Sequence, residues 1–386
     1  MAAARNERTG LWLRFPSTPF FLALLSFAAC PPTPLRAWQL GIIAQQRITI
    51  ANTVECASCS IRFERIVTIG NEEGDGFIDL PAAVAQTPGH ILVVNLTVPH
   101  EIRVFNREGV FDRIVGRRGE GPGEYRLIAD VRYSDGVVYV IDRVNQRISL
   151  LSYPELSFLR SVAIPGRPLG RGLLVVPGGR LLVNAIVPTA DAVGYPLHLL
   201  DPNGNIQTSF GLDSASTLGP AASISQIRRF AHSRSGGFWT AGFTEYRFER
   251  RDSIGRVLQE FSGSPQWFGG LQLRPGILAP PPAEIMDVDE DANGRLWVWA
   301  RKADPEWRST MLPINGPHGR SYRIGSYERM YDAVLEVIEP KRGTRIATMT
   351  WSAFAMRFVG DGIVVTYDDA GLYPRISCWR LTLLTQ

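Results

Sequence analysis

The side chains that could do chemistry in this 386-residue chain are mostly guanidinium groups. Asp130, Arg132, Arg228, Arg229, His232, Asp287 and Arg357 stand out because they fall within otherwise apolar, strand-like runs. Such an Arg-rich set suits an anionic group or a carboxylate-bearing peptide, since guanidinium offers planar, paired donors to carboxylate oxygens. Solvated charges in a wet channel are the plainer reading. A metal centre needs several His, Cys or carboxylate ligands that converge. The five histidines, His90, His100, His198, His232 and His318, include no pair at ligand spacing, and no metal or cofactor is expected. The Asp287–Gly294 run, DVDEDANG, looks like a calcium loop but has Val298 where the twelfth-position Glu belongs, and is read as a hairpin turn. Gly-x-Ser-x-Gly and phosphate-loop motifs are absent, and Ser233-Arg234-Ser235-Gly236 is turn composition.

The four cysteines are Cys30, Cys56, Cys59 and Cys378. Cys56 and Cys59 form a C-x-x-C without the following helix of a redox motif or a second ligand pair for zinc. A local disulfide is the simplest reading in an exported chain, with metal binding, thiol chemistry and free thiols as alternatives. Cys378, in Ile376-Ser377-Cys378-Trp379, reads as a small buried residue.

The elements that must position these groups are short strands between turn glycines. The Ile102–Leu151 stretch holds four strand-like runs, and the pattern returns, more loosely, on both sides. A period of roughly 40–60 residues with about four strands marks a β-propeller blade. The most apolar strand of each blade, buried on both faces, marks the repeats: Ile91–Val94, Val137–Val140, Leu181–Val183, Gly237–Trp239, Leu296–Trp299 and Ile363–Val365. Most follow a Gly-containing turn such as Asp135-Gly136 or Asp361-Gly362, the strongest short hairpin signal. Six markers predict an all-β, six-bladed β-propeller of four-stranded antiparallel blades. The sixth blade has no outer strand of its own before Gln386, whereas residues 61–69 stand alone and match Val110–Val115 in kind. They are expected to pair with the last blade and close the ring, which leaves only short edges exposed. The expected organisation is a signal peptide over 1–29, a linker over 30–55 and a propeller over 56–386, with an insertion in blade five at about 302–330 that is either a binding loop or a cover for one face.

Near the start, Arg5, Arg8 and Arg14 precede the apolar run Phe20–Ala29, which is about ten residues, fitting a signal-peptide core and too short to span a bilayer. Ala28-Ala29-Cys30 resembles a lipoprotein cleavage box, with Cys30 as lipidation candidate; cleavage after Ala28 competes. Export to periplasm, envelope or medium is expected either way. The formal charge of +4 does not point to nucleic acid: only Lys302 and Lys341 are lysines, and the arginines are interleaved with acids rather than gathered in a stripe.

Gly116–Tyr125 (GRRGEGPGEY) and Val138–Ile148 (VYVIDRVNQRI) resemble six-bladed propellers of the NHL-repeat type. They are more closely similar to the exported bacterial six-bladed β-propeller proteins, with the pattern G-x-x-G-x-G-P-G-E-aromatic followed by apolar-V-x-D-x-x-N-x-R-I. The resemblance is strong over residues 82–165 and implies a binding surface, often for protein or peptide. Read from its residues, the motif is a stiff inter-blade turn: glycines at 116, 119, 121 and 123 permit positive φ, and Glu124 can accept from loop amides or pair with Arg117 or Arg118. Asp142 and Asn145 suit turn hydrogen bonds, and Arg147 is expected to pair with Asp142. The binding candidates are Arg117, Arg118, Asp130, Arg132, Arg143, Arg228, Arg229, His232 and Arg357. The function expected is a monomeric, non-catalytic exported propeller binding a protein, peptide or glycan through one face or the channel mouth. A lactonase-like hydrolase or lyase with a channel metal is the alternative, and a purely structural envelope component a third.

Overall fold

The computed structural model describes residues 46–187, 194–211, 224–269, 279–316 and 319–385. The expected signal segment and Cys30 lie outside the described residues, as does His318. Six antiparallel meanders follow one another around a ring. Their inner strands are Pro81–Gln86, Ile128–Ser134, Arg167–Val176, Arg228–His232, Glu284–Glu290 and Phe354–Gly360. The second strands begin at His90, Val137, Arg180, Phe238, Leu296 and Ile363, and their central residues are buried on both faces. This is why the sequence marks them as unbroken apolar runs. Asp135 and Gly136 both have positive φ, at 49° and 79°, as do Asp361 and Gly362, at 49° and 67°. Two such residues in a row make the turn whose twist matches that of the strands it joins.

Each pair of neighbouring blades shares one apolar cluster. Leu92, Val104, Tyr125, Val131 and Val140 join blades one and two. Trp239, Phe248, Phe261, Val298 and Val334 join four and five. The closing contact is built the same way. Ser60–Ile69 pairs antiparallel with Arg375–Leu384 as the outer strand of blade six. Its Val67 and Ile69 pack with Val93 and Phe105 of blade one and Val365 and Cys378 of blade six. The ring is closed by an N-terminal strand, as the sequence predicts.

The segment before that strand departs from expectation. Gln46–Thr49 runs parallel to Val257–Ser262 and adds a fifth strand to blade four. Ile50, 2% exposed, is buried there, and its N–H donates to the Ser262 carbonyl at 2.8 Å. The chain then crosses blade five: the Arg345 guanidinium donates to the Asn52 carbonyl at 3.0 Å, and Glu55 pairs with Arg342 at 3.0 Å. A disulfide joins Cys56 and Cys59 before the closing strand starts. Residues 46–55 are therefore a strap across the outer strands of blades four and five, not a linker. The reason is that Ile48 and Ile50 find an apolar partner in the cluster between those blades.

The blade-five insertion forms a short 3₁₀ turn, Trp307–Thr310, and a hairpin, Met311–Gly316 with Gly319–Ile324. Its base is anchored. Trp307 is buried with Met330, Tyr331 and Phe354, and the Asp369 carboxylate accepts from Ser326 Oγ at 2.6 Å and Tyr327 N–H at 2.8 Å.

Candidate functional site

Six inner strands line the axis, and their charged residues cross it. Arg357 of blade six donates to Asp130 of blade two at 2.6 Å and to the Val84 carbonyl of blade one at 3.0 Å. Arg132 Nε reaches the other Asp130 oxygen at 3.1 Å. Asp287 of blade five accepts from the Phe358 N–H at 3.1 Å and lies 3.9 Å from Arg357 Nε. Arg171 of blade three donates to the carbonyls of Ala82 at 3.1 Å and Met356 at 3.2 Å. Arg229 of blade four donates to Ile285 O at 3.3 Å and stacks on the Phe243 ring at 4.6 Å. Every blade thus contributes a side chain or carbonyl to one network at the waist. Asp130 is fully buried and Arg357 is 1% exposed.

The electrostatics follow from that crowding. Burial alone would raise the Asp130 carboxyl, but Arg132 and Arg357 outweigh it and hold it below the usual carboxylate range. Burial, then Arg132, depresses Arg357; burial, then Arg357 and Arg229, depresses Arg171. At neutral pH these guanidiniums remain charged, Arg171 included, although it is brought down to about 9. Asp289 differs: burial first, then the neighbouring Asp287 carboxylate, push it up to about 7, against the pull of Arg234 and the N–H groups of Glu290 and Gly362. Crowding by protein atoms, then Arg132, lowers His232, although solvent reaches its ring from the mouth.

Above the waist a cavity of about 170 Å³ opens on the face where the inner strands end. Arg132, His232, Asp287, Asp289 and Arg357 line it, with Val131, Leu174, Phe230 and Phe358 as apolar wall. Ser134 also lines it, but its hydroxyl donates to Asp135 at 3.0 Å rather than to His232. Among the described residues no group of three or more His, Cys, Asp or Glu side chains is arranged to hold a metal ion. The cavity's acids are interleaved with guanidiniums, which would repel a divalent cation.

The sequence candidates fall into three places. Asp130, Arg132, His232 and Arg357 meet in or beneath this cup, and Arg229 lies in the same waist. Arg228, one residue before Arg229, lies on the other side of their strand from it. It lines a separate space of about 270 Å³ with Thr240, Glu249 and Arg251. Arg117 and Arg118, a two-residue strand paired with Glu124–Tyr125, and Arg143 are exposed on the opposite face, where inner strands begin. There the GRRGEGPGEY turn is held as a scaffold. Glu124 accepts from the N–H groups of Gly121 at 2.8 Å and Glu120 at 3.1 Å and pairs with Arg117 at 2.8 Å. Asn145 donates to Gly119 O at 3.0 Å and Asp142 at 2.7 Å. Arg147 does not pair with Asp142. It donates instead to the carbonyls of Glu120, Gly121 and Glu124 at 2.7–2.8 Å, because Asp142 is already filled by the N–H groups of Arg126 and Leu127. Positive φ is used at Gly116, Gly119 and Gly123 but not at Gly121. Gly121 instead keeps its Cα clear of the Glu124 carboxylate, which a Cβ would approach to 3.0 Å. Two cup-and-waist residues, Arg171 and Asp289, were not among the sequence candidates.

Comparison with known proteins gives the fold. No curated protein matches the sequence. A protein described as exported, from Bacteroides fragilis, superposes with a TM-score of 0.53 at 12% identity, covering 88% of this chain and 100% of that one. A member of the duf4221 family from Bacteroides vulgatus gives 0.55 at 9% identity, covering 85% and 99%. A streptogramin B lyase structure is matched only at 0.43 with 14% identity, covering 84% and 98%, and bears on neither fold nor function here. Residues 77–165 match the family described as 6-bladed beta-propeller, which is the stretch that carries the glycine-rich turn; NHL repeats are not what they match. The chain is a six-bladed β-propeller whose first two blades carry the sequence pattern of that family.

Proposed function

We propose that this protein is an exported, non-catalytic binding module that receives part of a protein, peptide or glycan in the cup at the channel mouth. The observation that carries the reading is the cup itself. At about 170 Å³ it is smaller than the roughly 300–1,000 Å³ of pockets that enclose small molecules. It therefore suits one side chain or terminal group of a larger ligand, whose remainder would lie on the surrounding face. Its floor is fixed by hydrogen bonds from all six blades, so little ordering cost falls on binding. No hydrogen bond links Ser134 to His232, and the guanidinium-lined channel does not favour the metal-dependent hydrolase or lyase. Export rests on the leader-like first 29 residues and on the likeness to a propeller described as exported.

The test is a plugged mouth. Ser134→Trp places a large ring in the cup from the end of an inner strand. Screened against immobilised peptides and glycans, the wild type should retain members of the panel that the variant does not, with both melting at the same temperature. Equal retention by the two proteins would move recognition to another surface.

A further inference from the structure

We propose that the cup is a socket for an acidic peptide side chain, whose carboxylate is received by Arg132 and Arg357 while the apolar wall takes its methylene stem. This rests on the binding-module reading and narrows its ligand. Arg357, at the floor, spends Nη1 on Asp130 and Val84 O, and its Nη2 has no hydrogen-bond partner among the described residues although it is buried. A buried, unsatisfied charged donor is costly, and a ligand oxygen would relieve it. Arg132 lines the wall with only Nε bonded among the described residues, so its Nη groups are available. Both guanidiniums are held through the same Asp130, which fixes two donor forks before any ligand arrives. Arg171 and Arg229 add positive charge in the same network. Against these four guanidiniums stand Asp130, Asp287 and Asp289, and Asp289 holds a proton near neutrality. Val131, Leu174, Phe230 and Phe358 match methylenes better than the hydroxyls of a sugar.

pH should tune the socket. The charged and titratable groups around Asp289 are Asp287, Arg132, Arg234, Arg357 and His232. Asp289, pushed up to about 7, changes charge between pH 8 and 6, whereas burial and Arg132 disfavour the charged form of His232. Protonating Asp289 removes a repulsion, so affinity should rise as pH falls.

The experiment is a titration of the whole protein, followed by NMR or calorimetry, with four probes: a capped Gly-Glu-Gly peptide, its Gly-Gln-Gly twin, glucuronate and inorganic phosphate. The Glu peptide should bind at least tenfold more tightly than the Gln twin, and more tightly than glucuronate or phosphate. Its affinity should rise from pH 8 to pH 6 and fall at least tenfold in Arg132→Gln, while Arg132→Lys keeps part of it. The Glu/Gln comparison needs no variant to fold. Equal binding of the twins, or preference for glucuronate or phosphate, overturns the peptide-carboxylate assignment. If panel ligands need an open cup but neither a carboxylate nor Arg132, this inference fails and the binding module stands. If nothing tested binds at the cup, both fall.

Discussion

At the scale of residues, the waist concentrates charge that a soluble protein normally keeps in water. Asp289 gives this a measurable signature. Its carboxyl titrates at about 7 in the fold and near 4 in an unfolded chain. The unfolded state therefore loses its proton first, and stability falls as pH rises from about 4 to 7, then levels off. Asp289→Asn removes that dependence. At pH 8 the variant should be more stable than wild type by on the order of 1–3 kcal/mol, below the roughly 4 kcal/mol that a three-unit shift sets as a ceiling. Below pH 4 the advantage should vanish; urea unfolding at the two pH values checks it. Arg357 predicts the reverse case. Arg357→Ala leaves Asp130 without its more buried partner and should cost about 3–5 kcal/mol, read in the same unfolding experiment. Part of this site was legible in the sequence. Asp130, Arg229 and Arg357 stand out as charges inside apolar runs. Arg171 does not, because glycines rather than apolar residues flank it, at 170 and 172, although it lies on the inner strand Arg167–Val176. Asp289 was absorbed into a hairpin reading, although it sits two residues after Asp287 and so on the same side of its strand. Which donors stay unpaired depends on side chains arriving from other blades, and no local pattern carries that.

At the scale of elements, the glycine-rich turn is the most conspicuous motif and is scaffold. Arg147 ties three of its carbonyls to the second hairpin of blade two. Arg147→Ala should destabilise the protein by about 2–4 kcal/mol, since hydrogen bonds from a charged donor contribute more than neutral ones. Ligand affinity at the cup, on the opposite face, should not change. Loss of binding without loss of stability would make this turn a recognition loop instead. The strap over 46–55 was not legible because its fifth strand is parallel and pairs with residues some 210 positions later. Its apolar residues are only Ile48, Ile50, Ala51 and Val54, too few for a periodicity to show. The closing strand, by contrast, was visible as an unpaired copy of the outer-strand pattern.

At the scale of the whole molecule, the ring is held by six similar apolar interfaces, and the last is made by residues 60–69 against the chain's far end. Ile69, 1% exposed, belongs to that seal. Ile69→Ala should cost about 2–5 kcal/mol and lower the melting of the entire protein in one transition. A separate early transition with the remainder unmoved would show that the seam opens independently. A closed ring gives the cup its rigid floor, because the waist network takes partners from first and last blades alike. The most direct test of the central claim, that recognition takes place at the cup, is hydrogen exchange with and without the tightest-binding ligand of the peptide and glycan panel. Added protection should appear at residues 132–134, 230–233, 287–290 and 357–360. Protection confined to 117–126 and 142–147, on the opposite face, would contradict it.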